Sequence, residues 1–75
     1  MEERIIAIAA QTIKVSMEQA RQNMKEIPEL NAWYFWNPVR GGLAVIVDAS
    51  GEKLGATSAV SYEKHVKAFL EGKRN

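Results

Sequence analysis

The chain has 75 residues, a length that leaves room for one hydrophobic core and no second domain. It has no cysteine and one histidine, so neither a disulfide nor a zinc site within one chain is expected. The composition is 47% hydrophobic and 25% charged with a formal net charge of +1, which is typical of a folded domain and shows no overall bias toward nucleic acid. We therefore predict a single domain over residues 1–75, and nothing in the sequence calls for a cofactor or a metal.

The first predicted element is one long helix from Glu2 to about Glu26. Pro28 prevents the helix from continuing. A second apolar row in its first half includes Ile5 and Ile8, so we expect the helix to contact two partners. Apolar residues recur along it at the spacing of one buried helical stripe: Ile6, Ala10, Ile13, Met17, Ala20 and Met24.

Three strands of an antiparallel meander are predicted next. Residues 32–36 are rich in aromatics and residues 43–47 in β-branched side chains, and both compositions favour strands. Residues 48–51, with Asp first and Gly last, indicate a type I turn that leads into a third strand at 53–58.

A second helix closes the predicted fold. Ser61 is a suitable N-cap, and the apolar residues that follow it recur at helical spacing up to Gly72, which ends the helix. The predicted fold class is therefore α+β, in the order helix, three-stranded antiparallel meander, helix.

The predicted sheet is apolar on both faces, which indicates an interface. Both helices can pack on one face, and the other face would then expose Tyr34 and Trp36 of one strand beside Ile46 of the next. We predict that these three residues, with Ile5 and Ile8, form the interface of a homodimer or of a complex with another protein. The opposite assignment of the two faces stays open. The predicted core consists of Trp33, Phe35, Val45, Val47, Ile13, Met17 and Phe69.

The loop between the first two predicted strands supports an alternative function. Arg40 beside Gly41 and Gly42 combines a fixed positive charge with free backbone N–H groups, which could hold a carboxylate or a phosphate. Together with the aromatics of 33–36, the loop could also bind single-stranded nucleic acid. Interspersed acidic residues make nucleic acid the less favoured partner, and the glycines are also explained by turn geometry alone.

Catalysis is a weaker interpretation of the sequence. Ser61 and His65 are four residues apart and would lie on one side of the second helix. A triad needs a third member, and the aspartate of the chain, Asp48, lies in a predicted turn that nothing places beside His65. We therefore predict a non-enzymatic protein, and rank an enzyme assembled around His65 at a dimer interface last.

Residues 45–54 resemble the hairpins of roadblock-type and other profilin-like domains. The resemblance covers ten residues and a pattern common to many hairpins, so it assigns no family. What it implies is a dimerising scaffold rather than an enzyme.

The start of the sequence bears on location. Glu2 and Glu3 stand where a secretory signal has basic residues, and the apolar run at 5–10 is too short to cross a bilayer. We predict a cytoplasmic protein with no membrane association.

Overall fold

The structure is a computed structural model that describes residues 2–39, 41–57 and 59–75. It confirms the α+β class, with a helix near each end and an antiparallel sheet between them. A short 3₁₀ turn occupies Pro28–Leu30. The helices are α1 (Glu3–Ile13), α2 (Met17–Gln22) and α3 (Tyr62–Leu70), and the strands are β1 (Met24–Ile27), β2 (Ala32–Trp36), β3 (Leu43–Asp48) and β4 (Lys53–Thr57).

The long N-terminal helix predicted to reach Glu26 is shorter than expected. It ends at Ile13 because Lys14 adopts the left-handed conformation, with φ of 61° and ψ of 49°. The N–H of Val15 then donates to the carbonyl of Ala10 at 3.0 Å, a bond typical of a helix C-terminus. Ser16 begins α2 as its N-cap by accepting a hydrogen bond from the Gln19 N–H.

The described residues form a sheet of four strands rather than the three that we predicted. β1 consists of residues assigned to the end of the long helix, and it pairs antiparallel with β2, with Lys25 opposite Tyr34. The strand order follows the chain, β1-β2-β3-β4. The predicted meander is therefore confirmed and gains one edge strand.

The two helical layers lie on opposite faces of the sheet, so the expectation that both helices share one face is wrong. Below α1 and α2, the buried core contains Ile13, Phe35, Val45 and Val47. On the other face, Phe69 of α3 packs with Ile27, Ala32 and Ile46. The physical reason is the alternation of β2 and β3, which places large apolar side chains on both faces and so requires a cover on each.

The turn between β3 and β4 matches the prediction. The carboxylate of Asp48 accepts hydrogen bonds from the N–H and hydroxyl of Ser50, at 3.0 and 2.6 Å, and from the Glu52 N–H at 3.0 Å. Gly51 takes the left-handed position with φ of 94°. Arg4 ties α1 to this turn by donating to the carbonyl of Ala49 at 3.0 Å.

Candidate functional site

α3 covers one part of its sheet face and leaves the rest open. The covered part includes Ile46, which is fully buried. The open part forms a groove of about 490 Å³ between the loop after β2 and the segment that leads into α3. This volume lies within the range of small-molecule and side-chain pockets. We call it the aromatic groove and define it by Tyr34, Trp36, Val39, Ala44, Val60 and Tyr62.

Three aromatic rings form one wall of the aromatic groove. Tyr34 lies at their centre, with its ring centroid 5.9 Å from that of Trp36 and 4.8 Å from that of Tyr62, the second pair edge to face. Such pairs hold each ring in a defined orientation. Burial raises the pKa of the Tyr34 phenol, and the neighbouring Tyr62 raises it further. Tyr34 therefore keeps its proton at neutral pH.

The two banks of the aromatic groove carry apolar side chains that face solvent. Val39 is 62% exposed on one bank, and Val60 is 37% exposed on the other. Single exposed apolar residues are common on protein surfaces, but here two of them flank half-buried aromatic rings. The arrangement is an apolar concavity with apolar edges, which favours a partner that brings apolar groups of its own.

Among the described residues that line the aromatic groove, Lys25 carries a charge. The ammonium of Lys25 lies 4.5 Å from the centroid of the Tyr62 ring, which is cation–π geometry. Ser61 uses its hydroxyl to cap α3, accepting from the Lys64 N–H at 3.3 Å. Lys25 therefore places a positive charge at one end of the groove, whereas the Ser61 hydroxyl is engaged in capping α3.

The loop beside the aromatic groove is held by its own hydrogen bonds. The Asn37 side chain donates to the carbonyl of Ile13 at 2.9 Å and accepts from the Val39 N–H at 3.1 Å, which ties the loop to α1. Gly42 packs so closely that a Cβ atom there would lie 2.7 Å from the carbonyl oxygen of Asn37. Gly41 has φ of 75°, a conformation that favours glycine.

The structure places the predicted interface residues in different environments. Tyr34 and Trp36 come together in the aromatic groove. Ile46 and Ile5 are 0% and 1% exposed within the chain itself, on opposite sides of the sheet, so neither offers surface to a partner. Ile8 is half-buried against the core below α1.

The alternative ligand loop lies beside the same groove. Gly42 lines it, and Gly41 precedes Gly42 in the loop. Arg40, the charged member of the predicted ligand site, lies outside the described residues.

Sequence reasoning missed the second bank and the positive end of the aromatic groove. Tyr62 belongs to the apolar residues at helical spacing in the second helix, and it stands directly after the N-cap, where a helix can overhang its sheet. Val60 and Lys25 carried no signal, because their position depends on where α3 crosses the sheet and on β1 being a strand.

The candidate catalytic residues have separate structural partners. His65 is 1% exposed, and its Nε2 lies 2.6 Å from the carbonyl oxygen of Leu54. A carbonyl accepts hydrogen bonds only, so Nε2 is the donor. The Asp48 carboxylate is engaged in the β3–β4 turn. Across residues 2–39, 41–57 and 59–75, no group of three His, Asp or Glu side chains could hold a metal ion.

Comparisons with protein-family models, with curated proteins and with solved structures find no match for this chain. In the described part of the chain, no helix has the length and apolar character needed to cross a bilayer.

Proposed function

We propose that this chain is a small non-enzymatic protein-interaction module that forms a homodimer through the aromatic groove. The observation that carries the proposal is the set of three packed aromatic rings, Tyr34, Trp36 and Tyr62, between two exposed valines. Aromatic side chains of this kind dominate the binding energy of interfaces when a partner removes them from water.

A second copy is the partner that best fits the physical constraints. A 75-residue chain without disulfides has a small core, and self-association buries further apolar surface. A two-fold dimer uses the same patch on both subunits, so the Val39 bank of one copy can enter the groove of the other while the reverse contact forms. Cytoplasmic location remains a prediction from the sequence.

The test is solution mass by size-exclusion chromatography with light scattering over a concentration series. Trp36→Ala is expected to weaken the dimer by at least 2 kcal/mol, about 30-fold in Kd, as hot-spot residues do. Circular dichroism of each variant checks that it remains folded.

A matched pair of charge substitutions tests the location of the interface. Val39 and Leu70 are similarly exposed, at 62% and 66%, but Val39 alone of the two lines the groove. Val39→Asp is expected to give a monomer, while Leu70→Asp leaves the dimer intact. A wild-type chain that stays monomeric at every concentration, or two aspartates with equal effects, would refute the proposal.

One observation favours a second candidate, an anionic-ligand or single-stranded nucleic-acid binder. The aromatic groove has stacking rings, Lys25 at one end and the Gly41–Gly42 loop along one bank. Retention on single-stranded DNA that falls with added salt and is lost in Lys25→Ala and Arg40→Ala would support it. Equal retention of wild type and both variants would exclude it.

A further inference from the structure

β4 has an outer edge whose backbone groups point away from the sheet. In the antiparallel pairing with β3, Leu54 lies opposite Ile46 and Ala56 opposite Ala44, while Gly55 between them directs its N–H and carbonyl outward. Lys53 does the same with its carbonyl. An outward edge of this kind is a template for pairing with another strand.

Asn75 occupies this edge with the hydrogen bonds of a paired strand. Its side-chain oxygen accepts from the Gly55 N–H at 3.0 Å, and its side-chain nitrogen donates to the Gly55 carbonyl at 3.3 Å. Its backbone N–H donates to the Lys53 carbonyl at 3.0 Å. A carboxamide has the same donor and acceptor as a peptide group, so the Asn75 side chain makes the hydrogen bonds to Gly55 that the backbone of a neighbouring strand would make.

Arg74 anchors the segment independently of β4. Its guanidinium lies 3.5 Å from the centroid of the Phe69 ring and donates to the Phe69 carbonyl at 2.8 Å. One of its nitrogens lies 3.8 Å from the Asp48 carboxylate.

Replacing the Asn75 side chain therefore frees the N–H and carbonyl of Gly55 without changing the contacts of Arg74. The backbone of residue 75 keeps its contacts with Lys53, whose carbonyl accepts from its N–H at 3.0 Å and whose ammonium donates to its carbonyl at 3.2 Å, so pairing of the edge also requires the segment to move away. We call residues 73–75 the clip.

We infer that the edge of β4 is a strand-pairing site for β4 of a second copy of this chain, and that the clip covers it. Once the clip has moved away from β4, two β4 strands would pair antiparallel into one continuous sheet across the dimer. The pairing is centred on Gly55, which does not line the aromatic groove, so the inference goes beyond the proposed function.

The sequence of β4 favours pairing with itself about Gly55. In that register Gly55 lies opposite Gly55 of the second copy and exchanges with it the two hydrogen bonds that Asn75 now makes. Lys53 lies opposite Thr57, whose N–H replaces that of Asn75 at the Lys53 carbonyl. No like charges oppose each other, and Leu54 faces Ala56 across the junction.

The experiment measures solution mass of Asn75→Ala across a concentration series, in the wild type and in the Val39→Asp background. Because Val39→Asp blocks the groove, association in that background reports on the β4 edge. In the Val39→Asp background, Asn75→Ala is expected to strengthen dimerisation about tenfold or more, because the two side-chain hydrogen bonds of the competing clip are removed. In the wild type, which keeps the groove dimer, it is expected to give assemblies larger than a dimer. Lys73→Ala, in the same segment, is the matched control and is expected to have no effect.

Gly55→Pro tests whether the new dimer uses the β4 edge. Proline removes an N–H that points away from β3, which an edge strand tolerates, and it blocks the centre of the pairing. The double variant Asn75→Ala/Gly55→Pro is expected to return to the mass of its background. The inference is overturned if Asn75→Ala does not change the association, if its dimer survives Gly55→Pro, or if Gly55→Pro alone dissociates a wild-type dimer.

Discussion

Replacement of Lys14 by glycine tests the break between α1 and α2, because the two interpretations of this region predict opposite signs. Lys14 is exposed and left-handed, with φ of 61°. A non-glycine residue in that conformation costs about 1–2 kcal/mol. Glycine avoids this cost. It also loses more conformational entropy on folding, which offsets roughly 0.5–1 kcal/mol of the relieved strain.

The expected net effect of Lys14→Gly is stabilisation by about 0.5–1 kcal/mol. For a domain of this size, that raises Tm by roughly 2–8 °C. In an uninterrupted helix from Glu2 to Glu26, the same substitution would destabilise by about 0.5–1 kcal/mol. Thermal and urea unfolding followed by circular dichroism measure the difference, preferably in the Val39→Asp background, where association does not shift the midpoint.

Lys14→Ala is the matched control for this experiment. Alanine also removes the exposed charge but retains the Cβ atom, so the left-handed strain remains and no stabilisation is expected. A fall in Tm for Lys14→Gly, or an equal rise for both variants, would refute the break at Lys14.

Two further predictions concern turns. Partial burial alone would raise the pKa of Asp48, but hydrogen bonds from Ser50 and Glu52 and the nearby Arg74 outweigh it and lower that pKa. Its stabilising effect is therefore present above the unfolded-state pKa of about 4 and is lost as pH falls through the folded-state value. Urea unfolding of wild type and Asp48→Asn should differ by about 1–3 kcal/mol at pH 7, and the difference should narrow as pH falls below the unfolded-state pKa of about 4; a constant gap would contradict this. Gly42→Ala is expected to destabilise by about 1–3 kcal/mol because its Cβ would contact backbone, and unchanged thermal unfolding would show that the loop adapts freely.

The features that were predictable from the sequence depend on contacts between residues close in the chain. Asp48 bonds to residues two and four positions away, and Ser61 caps the helix three residues ahead. Their side chains can form these bonds wherever the segment lies, so the turn and the start of α3 follow from local chemistry. Strands β2 and β3 were equally clear, because their aromatic and β-branched residues suit a pleated surface.

The sequence-based predictions failed where the local residues favoured no single structure. There, contacts between residues distant in the chain determined which structure formed. Lys14 carries no preference for the left-handed conformation, and the three-and-four spacing continues through it, so periodicity predicted one helix. Residues 24–27 lack β-branched enrichment, and they form a strand because the edge of β2 offers hydrogen-bonding partners. Both faces of the sheet are apolar, so the sequence likewise did not determine which face α3 packs against.

The sequence by itself determined the α+β class, the meander, the β3–β4 turn and the presence of Tyr34 and Trp36 on one face of β2. Only the tertiary structure decided that Ile5 and Ile46 are buried, that Tyr62 and Val60 complete a groove, and that Asn75 covers the β4 edge. The physical reason is the distance along the chain over which each interaction acts. Backbone propensity and capping act over a few residues, whereas burial and groove shape depend on where α3 and the clip settle against a sheet formed by distant segments.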